Sequence, residues 1–183
     1  MDIAVTVNDE STTIEAREGE HLASALRRAG YTGVKCGCDG GDCGASMVLL
    51  DGEATMACGM DAAEAEGASI ETIAALGTQD DLHPIQQAFV DNFAVQCGFC
   101  IPGMIIQTKD LLADNPDPTE AEAREAIDDV VCRCTGYQKP VDAMLDAAER
   151  MRDGPAVATD GGPTQTAAAG CDRPDCCGGD GYE

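Results

Sequence analysis

The sequence predicts an α+β chain in three parts: a strand-rich unit built around a glycine- and cysteine-rich loop, a small four-helix bundle, and a tail. Two observations carry the division. The hydrophobic period changes from two to about 3.6 near residue 80, the switch from strands to amphipathic helices. The 11 cysteines fall in three groups, at 36, 38, 43 and 58, at 97, 100, 132 and 134, and at 171, 176 and 177. A polar joint, GTQDD at 77–81, separates the first two parts and gives domains 1–78 and 82–152. Residues 153–183 lack any apolar period and read as a disordered tail, so Cys171, Cys176 and Cys177 are given no dedicated role.

Residues 2–7 alternate around Ile3, Val5 and Val7, and Thr12 to Ala16 follow a polar NDES turn, so the chain opens with a hairpin. From Glu20 to Ala29 the residues Leu22, Ala23, Ala25, Leu26 and Ala29 share one helical face, with Gly30 as a C-cap and His21 on the surface of the first turn. Five glycines between 33 and 44 exclude a stable helix or strand and let backbone N–H groups approach a buried anion. Met47–Leu50 and Glu53–Ala57 read as strands around the tight turn Asp51-Gly52, and this hairpin carries Cys58 at its far end. Residues 68–76 add a short strand or helical turn. Beyond the joint, Pro84 starts a helix over 83–94 with Ile85, Ala88, Phe89 and Phe93 on one side. Met104, Ile105, Leu111 and Leu112 carry a second helix from Pro102 to about Ala113, where NPDP ends it. Thr119 caps a third with Glu122 as its reciprocal partner, and Ala123, Ala126, Ile127 and Val130 continue the apolar stripe. Val141, Met144, Leu145 and Ala148 form the fourth. His83, at a first turn, reads as a capping or packing residue rather than a ligand.

Cys97 and Cys100 form a C-x2-C pair and Cys132 and Cys134 a C-x-C pair, with 31 residues between them. Two close pairs brought together supply four sulfurs, enough for tetrahedral zinc or for two bridged irons, and the spacing does not choose between them. Disulfides would need an oxidising compartment, and residues 1–20 contain no basic stretch followed by an apolar core and a cleavage site.

The 183 residues include three Phe, three Tyr and no Trp, so Ala, Val, Ile, Leu and Met must build the core, and small cores of this kind gain from a cofactor or a partner surface. A net charge of −23, from 34 acidic and 11 basic residues, repels nucleic acid and anionic lipid. The acidic residues are spread through all regions. High salt would screen their repulsion, since the Debye length falls to about 3 Å at 1 M, and the expectation is a halophilic source. No run of eighteen apolar residues is present, so no membrane span is expected, and the expected location is cytoplasmic.

The phrases GCDGGDCGAS, DGEATMAC, GASIETI, LHPIQQAF, QCGFCIPGMI, NPDPTEAEAREAI and CRCTGYQKPVDA, in this order over about residues 1–152, resemble the small iron–sulfur subunit of the molybdenum hydroxylases. This is the family of xanthine dehydrogenase, aldehyde oxidoreductase and aerobic-type carbon monoxide dehydrogenase. The resemblance implies a plant-ferredoxin-like β-grasp domain with one [2Fe–2S] cluster, then a four-helix domain with a second. It implies a non-catalytic electron-transfer subunit that relays electrons from a molybdopterin-binding large subunit toward an FAD-binding medium subunit, in a heterotrimer repeated twice about a symmetry axis. It assigns Cys97, Cys100, Cys132 and Cys134 to the second cluster, with Cys134 closest to the pterin and Gln96 beside that cofactor. Arg133, between two of these thiolates, could offset cluster charge or pair with a carboxylate.

The first ligand set departs from the family pattern C-x4-C-x2-C-x11-C. Cys38, Cys43 and Cys58 fill the first, second and fourth positions, Ser46 occupies the third, and Cys36 is extra. Three readings stay open: Ser46 ligates as an alkoxide, Cys36 takes its place by shifting the loop, or the first cluster is labile or absent. A serinate oxygen is a harder donor and would lower the cluster's potential. Two other functions compete with the relay subunit, a zinc-stabilised interaction protein and a free ferredoxin serving many partners. The substrate of the complex would be chosen around molybdenum, in another chain.

Overall fold

The period-two half of the chain forms a five-stranded sheet in the computed structural model, which describes residues 1–38 and 40–153. Strands β1 (Asp2–Val7), β2 (Glu10–Glu15), β3 (Met47–Leu50), β4 (Glu53–Met56) and β5 (Ser69–Glu71) lie in the order β2-β1-β5-β3-β4. Only the β1–β5 pair is parallel. Both hairpins turn through left-handed residues: Asn8 and Asp9 at φ 51° and 66°, Asp51 and Gly52 at φ 51° and 95°. That backbone twist matches the twist of the paired strands. Helix α1 (Leu22–Arg28) packs Leu22 and Leu26 against Ile3, Val5, Val7, Ile14, Val48 and Ile70, giving the β-grasp core. The segment expected as strand or turn is both, β5 followed by a 3-10 turn at Ile73–Ala75. The described residues of the loop from 29 to 46, which carries Cys36, Cys38 and Cys43, form no helix or strand. Its start is braced by the Arg27 guanidinium, which donates to the carbonyls of Thr32 (3.0 Å) and Val34 (2.6 Å).

The second half is the bundle α2 (Pro84–Asp91), α3 (Ile101–Asp114), α4 (Glu120–Ala126) and α5 (Gln138–Asp153). Capping set its boundaries: His83 Nδ1 accepts from Ile85 N–H, and Thr119 with Glu122 forms the reciprocal box anticipated from the sequence. Phe93 corrects the sequence reading. Helix α2 stops at Asp91, Asn92 donates to the Ala88 carbonyl and to Asp146 (2.6 Å), and Phe93 leaves at φ 54° and is 81% exposed. A helical wheel continued past a helix end places the residue on the wrong face. Residues 154–183, and with them Cys171, Cys176 and Cys177, lie outside the described residues. None of the described helices is long and apolar enough to cross a membrane.

Strand β3 joins the two halves. Its alternation sends Val48 into the β-grasp core, and Met47 and Leu49 into the bundle core with Met104, Ile105, Phe89 and Val130. The domains therefore share a hydrophobic seam rather than hanging on the 77–81 joint alone.

Candidate metal centres

The first centre is built by a loop and a hairpin end. Pairing of Met47 with Met56 brings Ser46, just before β3, beside the 3-10 turn Ala57–Gly59 that follows β4. Ala57 N–H donates to the Ser46 carbonyl and Cys58 N–H to Ser46 Oγ, each at 3.2 Å. Cys58 is buried, and Cys38 and Cys43 reach it from the loop with a thiol–thiol hydrogen bond between them. Burial alone would raise the Cys38 thiol, but the Cys43 thiol and the amides of Gly40, Asp42 and Cys43 outweigh it and bring Cys38 down to about 7. Burial pushes Cys43 up, with Cys38 and Cys58 as charged neighbours adding to the rise. Backbone amides thus converge on this loop as its glycine content foretold. Cys36 is half-buried against the same core.

The second centre sits where the helices of the bundle begin and end. Cys100 is the N-cap of α3 and is buried; Cys97 precedes it in an exposed turn. Cys132 and Cys134 lie in the turn leading to α5. The four sulfurs meet as two hydrogen-bonded pairs, Cys97 with Cys134 and Cys100 with Cys132. Burial first, and Cys132 second, push the Cys100 thiol up to about 12. Cys134 is raised by its bond with Cys97. Cys132 is held below the ordinary thiol value: burial opposes this, but the hydroxyl and amide of Thr135, the Cys134 amide and the Cys100 thiol prevail. Among the described residues no group of three or more His, Cys, Asp or Glu side chains closes on a single point as one ion would require. The sulfurs of the second centre are arranged two by two instead.

Two residues of the second centre escaped the sequence reading. Thr135 Oγ1 lies 3.0 Å from Cys132 Sγ and accepts from Tyr137 N–H at 3.2 Å. Tyr137, at φ 66°, accepts the Cys132 N–H on its hydroxyl at 2.8 Å. The cue was a Thr-Gly-Tyr turn beside a ligand pair, but which atoms it would reach depends on the fold. Gln96 and Arg133 are exposed.

The centres touch through backbone. Val131 N–H donates to the Cys43 carbonyl at 3.0 Å, so one covalent step from Cys132 meets a ligand candidate of the first centre. Gly44 stands at φ 65°, and a side chain there would run into the Asp129 carbonyl and Val130; one at Gly103 would strike the Gly44 carbonyl. Glycine at 44 is required twice, for its conformation and for this approach. Phe99, inside the C-x2-C turn, lies 3.1 Å from where a side chain at Gly37 would begin.

Residues 5–73 match the family described as the 2Fe-2S iron-sulfur cluster binding domain, and residues 72–145 that described as the [2Fe-2S] binding domain. The chain is 43% identical over 148 residues to the nicotine 6-hydroxylase small subunit of Paenarthrobacter nicotinovorans, covering 80% of this chain and 89% of that one. It is 41% identical over 146 residues to the xanthine dehydrogenase iron-sulfur-binding subunit of Escherichia coli O157:H7, covering 79% and 92%. The crystal structure of quinoline 2-oxidoreductase from Pseudomonas putida 86 superposes with a TM-score of 0.80 at 40% identity, over 84% of this chain and 97% of the matched one. With two sulfur-lined centres in a β-grasp domain and a four-helix domain, and with these relatives over most of its length, the chain belongs to the family of small iron–sulfur subunits of the molybdenum hydroxylases.

Proposed function

We propose that the chain is the relay subunit of a molybdenum hydroxylase, taking electrons from a molybdopterin-bearing large subunit at the bundle end and passing them through the β-grasp end to an FAD-bearing subunit. When bound, a [2Fe–2S] cluster supplies one-electron transfer at each centre. Cys97, Cys100, Cys132 and Cys134, which stand as the pairs Cys97 with Cys134 and Cys100 with Cys132, would hold the second cluster. Cys38, Cys43 and Cys58 would supply three ligands of the first. The observation that carries this reading is the paired arrangement of the four bundle sulfurs together with the Val131–Cys43 hydrogen bond, which gives a short bonded route from one ligand set to the other. The division into domains 1–78 and 82–152 fits the separate origin of the two ligand sets.

The docking face follows from exposure. Five of the seven large apolar residues exposed among the described residues are Val90, Phe93, Val95, Phe99 and Val131. They lie in the stretch around Cys97 or next to Cys132, and Cys97 and Cys134 are themselves exposed. An apolar fringe around uncovered thiols suits burial by a large partner, and the molybdenum-bearing subunit is the occupant that would use it. Gln96 and Cys134 would then face the pterin. Isolation of the native complex at high salt tests the whole reading. Iron and acid-labile sulfide of about four each per chain are expected, with molybdenum and flavin co-purifying. A stable monomer that carries iron and is never accompanied by either partner would return the assignment to a free ferredoxin; a colourless zinc protein would return it to an interaction module.

A further inference from the structure

We propose that Ser46 completes the first centre as an oxygen ligand, its Oγ binding the same iron as Cys58. The inference rests on the two-cluster reading above and concerns the one position where the thiol count falls short. Two bridged irons need four terminal donors, and the family spacing fills three of them with Cys38 and Cys43, hydrogen-bonded to each other, and Cys58, a neighbour of Cys43. Ser46 is 1% exposed and anchored on both sides, its carbonyl taking the Ala57 N–H and its Oγ the Cys58 N–H. The side chain is therefore already fixed at the root of Cys58, on the hairpin end that faces the loop thiols. Among the described residues Oγ engages as an acceptor alone, which leaves a buried hydroxyl donor unspent, an arrangement folded proteins avoid.

Ligation resolves it. The Oγ–H bond breaks, the proton leaves to solvent, and the oxygen lone pair forms the bond to iron, with no change in the metal's oxidation state. The Cys58 amide then donates to an anion, a stronger bond than the one it makes to a hydroxyl. The resulting layout, Ser46 with Cys58 and Cys38 with Cys43, repeats the two-by-two arrangement of the bundle sulfurs. Cys36 is the competing donor. It stands on the loop two residues before Cys38, packed against the same core.

The test is reconstitution of the full chain and of the variants Ser46→Ala, Ser46→Cys and Cys36→Ala, read by iron and sulfide content, low-temperature EPR of the reduced protein, and redox titration. Cys36→Ala should keep about four irons and both signals. Ser46→Ala should fall to about two irons and keep only the bundle signal. Because alanine at a buried hairpin end could disturb the loop for other reasons, Ser46→Cys is the sharper variant. It should restore about four irons, raise the first cluster's potential and move its visible absorption to longer wavelength, as a softer donor replaces oxygen. An unchanged potential and spectrum in Ser46→Cys would overturn the proposal. So would retention of both signals in Ser46→Ala, or loss of the first signal in Cys36→Ala. The bundle signal serves as the internal standard: its persistence in every variant confines a failure to Ser46, whereas its absence from the unmodified chain would overturn the two-cluster reading and the proposal with it.

Discussion

Cys58 and Cys100 are both buried in the cores of their domains, yet the centres around them are finished in different ways. Around Cys100 four thiols stand in two pairs, a complete donor set on our reading, but Cys97 and Cys134 stand open to solvent at the end of the bundle. Around Cys58 lie the thiols of Cys38 and Cys43 and the hydroxyl of Ser46, which we propose as the fourth donor, while Cys38 and Cys43 are half-buried and the Cys43 carbonyl is capped by Val131 from the other domain. Completeness of ligands and enclosure are thus supplied separately. The first is written in local spacing; the second comes from what packs over the site, which is the neighbouring domain for one centre and, on our reading, a partner subunit for the other.

Removing Cys100 tests the contrast most severely. Cys100→Ala takes away a buried candidate ligand that stands at the N-cap position of α3 without a side-chain capping hydrogen bond, so the second cluster should be lost and iron content should fall by about half, to about two per chain. The first centre, whose candidate ligands all lie at 58 or earlier, should keep its EPR signal. Simultaneous loss of both signals would mean that the bundle cannot hold its seam with β3 without its cluster, and the two centres would have to be treated as one folding unit.

Gly44→Ala attacks the enclosure instead of the ligands. Alanine at φ 65° is strained by roughly 1 kcal/mol, and its Cβ meets the backbone of Asp129 and Val130, which cannot swing aside as a side-chain tip would. A destabilisation of about 2–4 kcal/mol is expected in denaturant unfolding, together with iron loss from the first centre before the second. Equal loss from both would remove the distinction between a centre enclosed by its neighbour and one that is not.

How far the sequence carried these conclusions depended on the range of the interaction. The Asp51-Gly52 turn, the Pro84 start and the Thr119–Glu122 box are each decided within four residues, and all three stand in the structure. The division of β3 between two cores was not legible, because alternation says that Val48 faces away from Met47 and Leu49 but not that the second face is covered by helices that begin only at Pro84. Phe93 failed for a related reason: the Asn92–Asp146 bond that ends α2 joins residues 54 apart. In the centres, the ligand candidates could be read from spacing, whereas Thr135, Tyr137 and the Val131–Cys43 bond depend on how the turns are brought together.

Thr135 gives a subtler measure of the second centre. Its Oγ1 accepts from Tyr137 N–H, so its own proton is free to go to Cys132, and a ligating thiolate can only accept. Drawing charge from that sulfur favours the reduced cluster. Thr135→Val keeps the shape and removes the donor, and should lower the potential of the bundle cluster by about 40 mV, the equivalent of roughly 1 kcal/mol for one electron. Thr135→Ser should restore it. The first cluster's potential should not move in either variant, and a shift in both would point to a change of fold around the shared Val131–Cys43 contact.

The smallest expected effect belongs to the ion pair between Lys109 on α3 and Glu71 on β5, which crosses the domain seam at a distance in sequence from every ligand candidate. Both side chains are 31% exposed, so solvent screens the attraction and each loses rotamer freedom in making it. Lys109→Met keeps most of the stem against the seam and removes only the charge. It should cost about 0.2–1 kcal/mol at low ionic strength and less at high salt, measured by denaturant midpoint. Iron content and both potentials should be unchanged, because Met47 and Leu49 in the bundle core and the Gly44–Gly103 contact continue to hold the domains together. Should iron be lost from the first centre alone, the apolar seam would not suffice to keep that loop closed, and enclosure by the neighbouring domain would depend on charge as well as on packing.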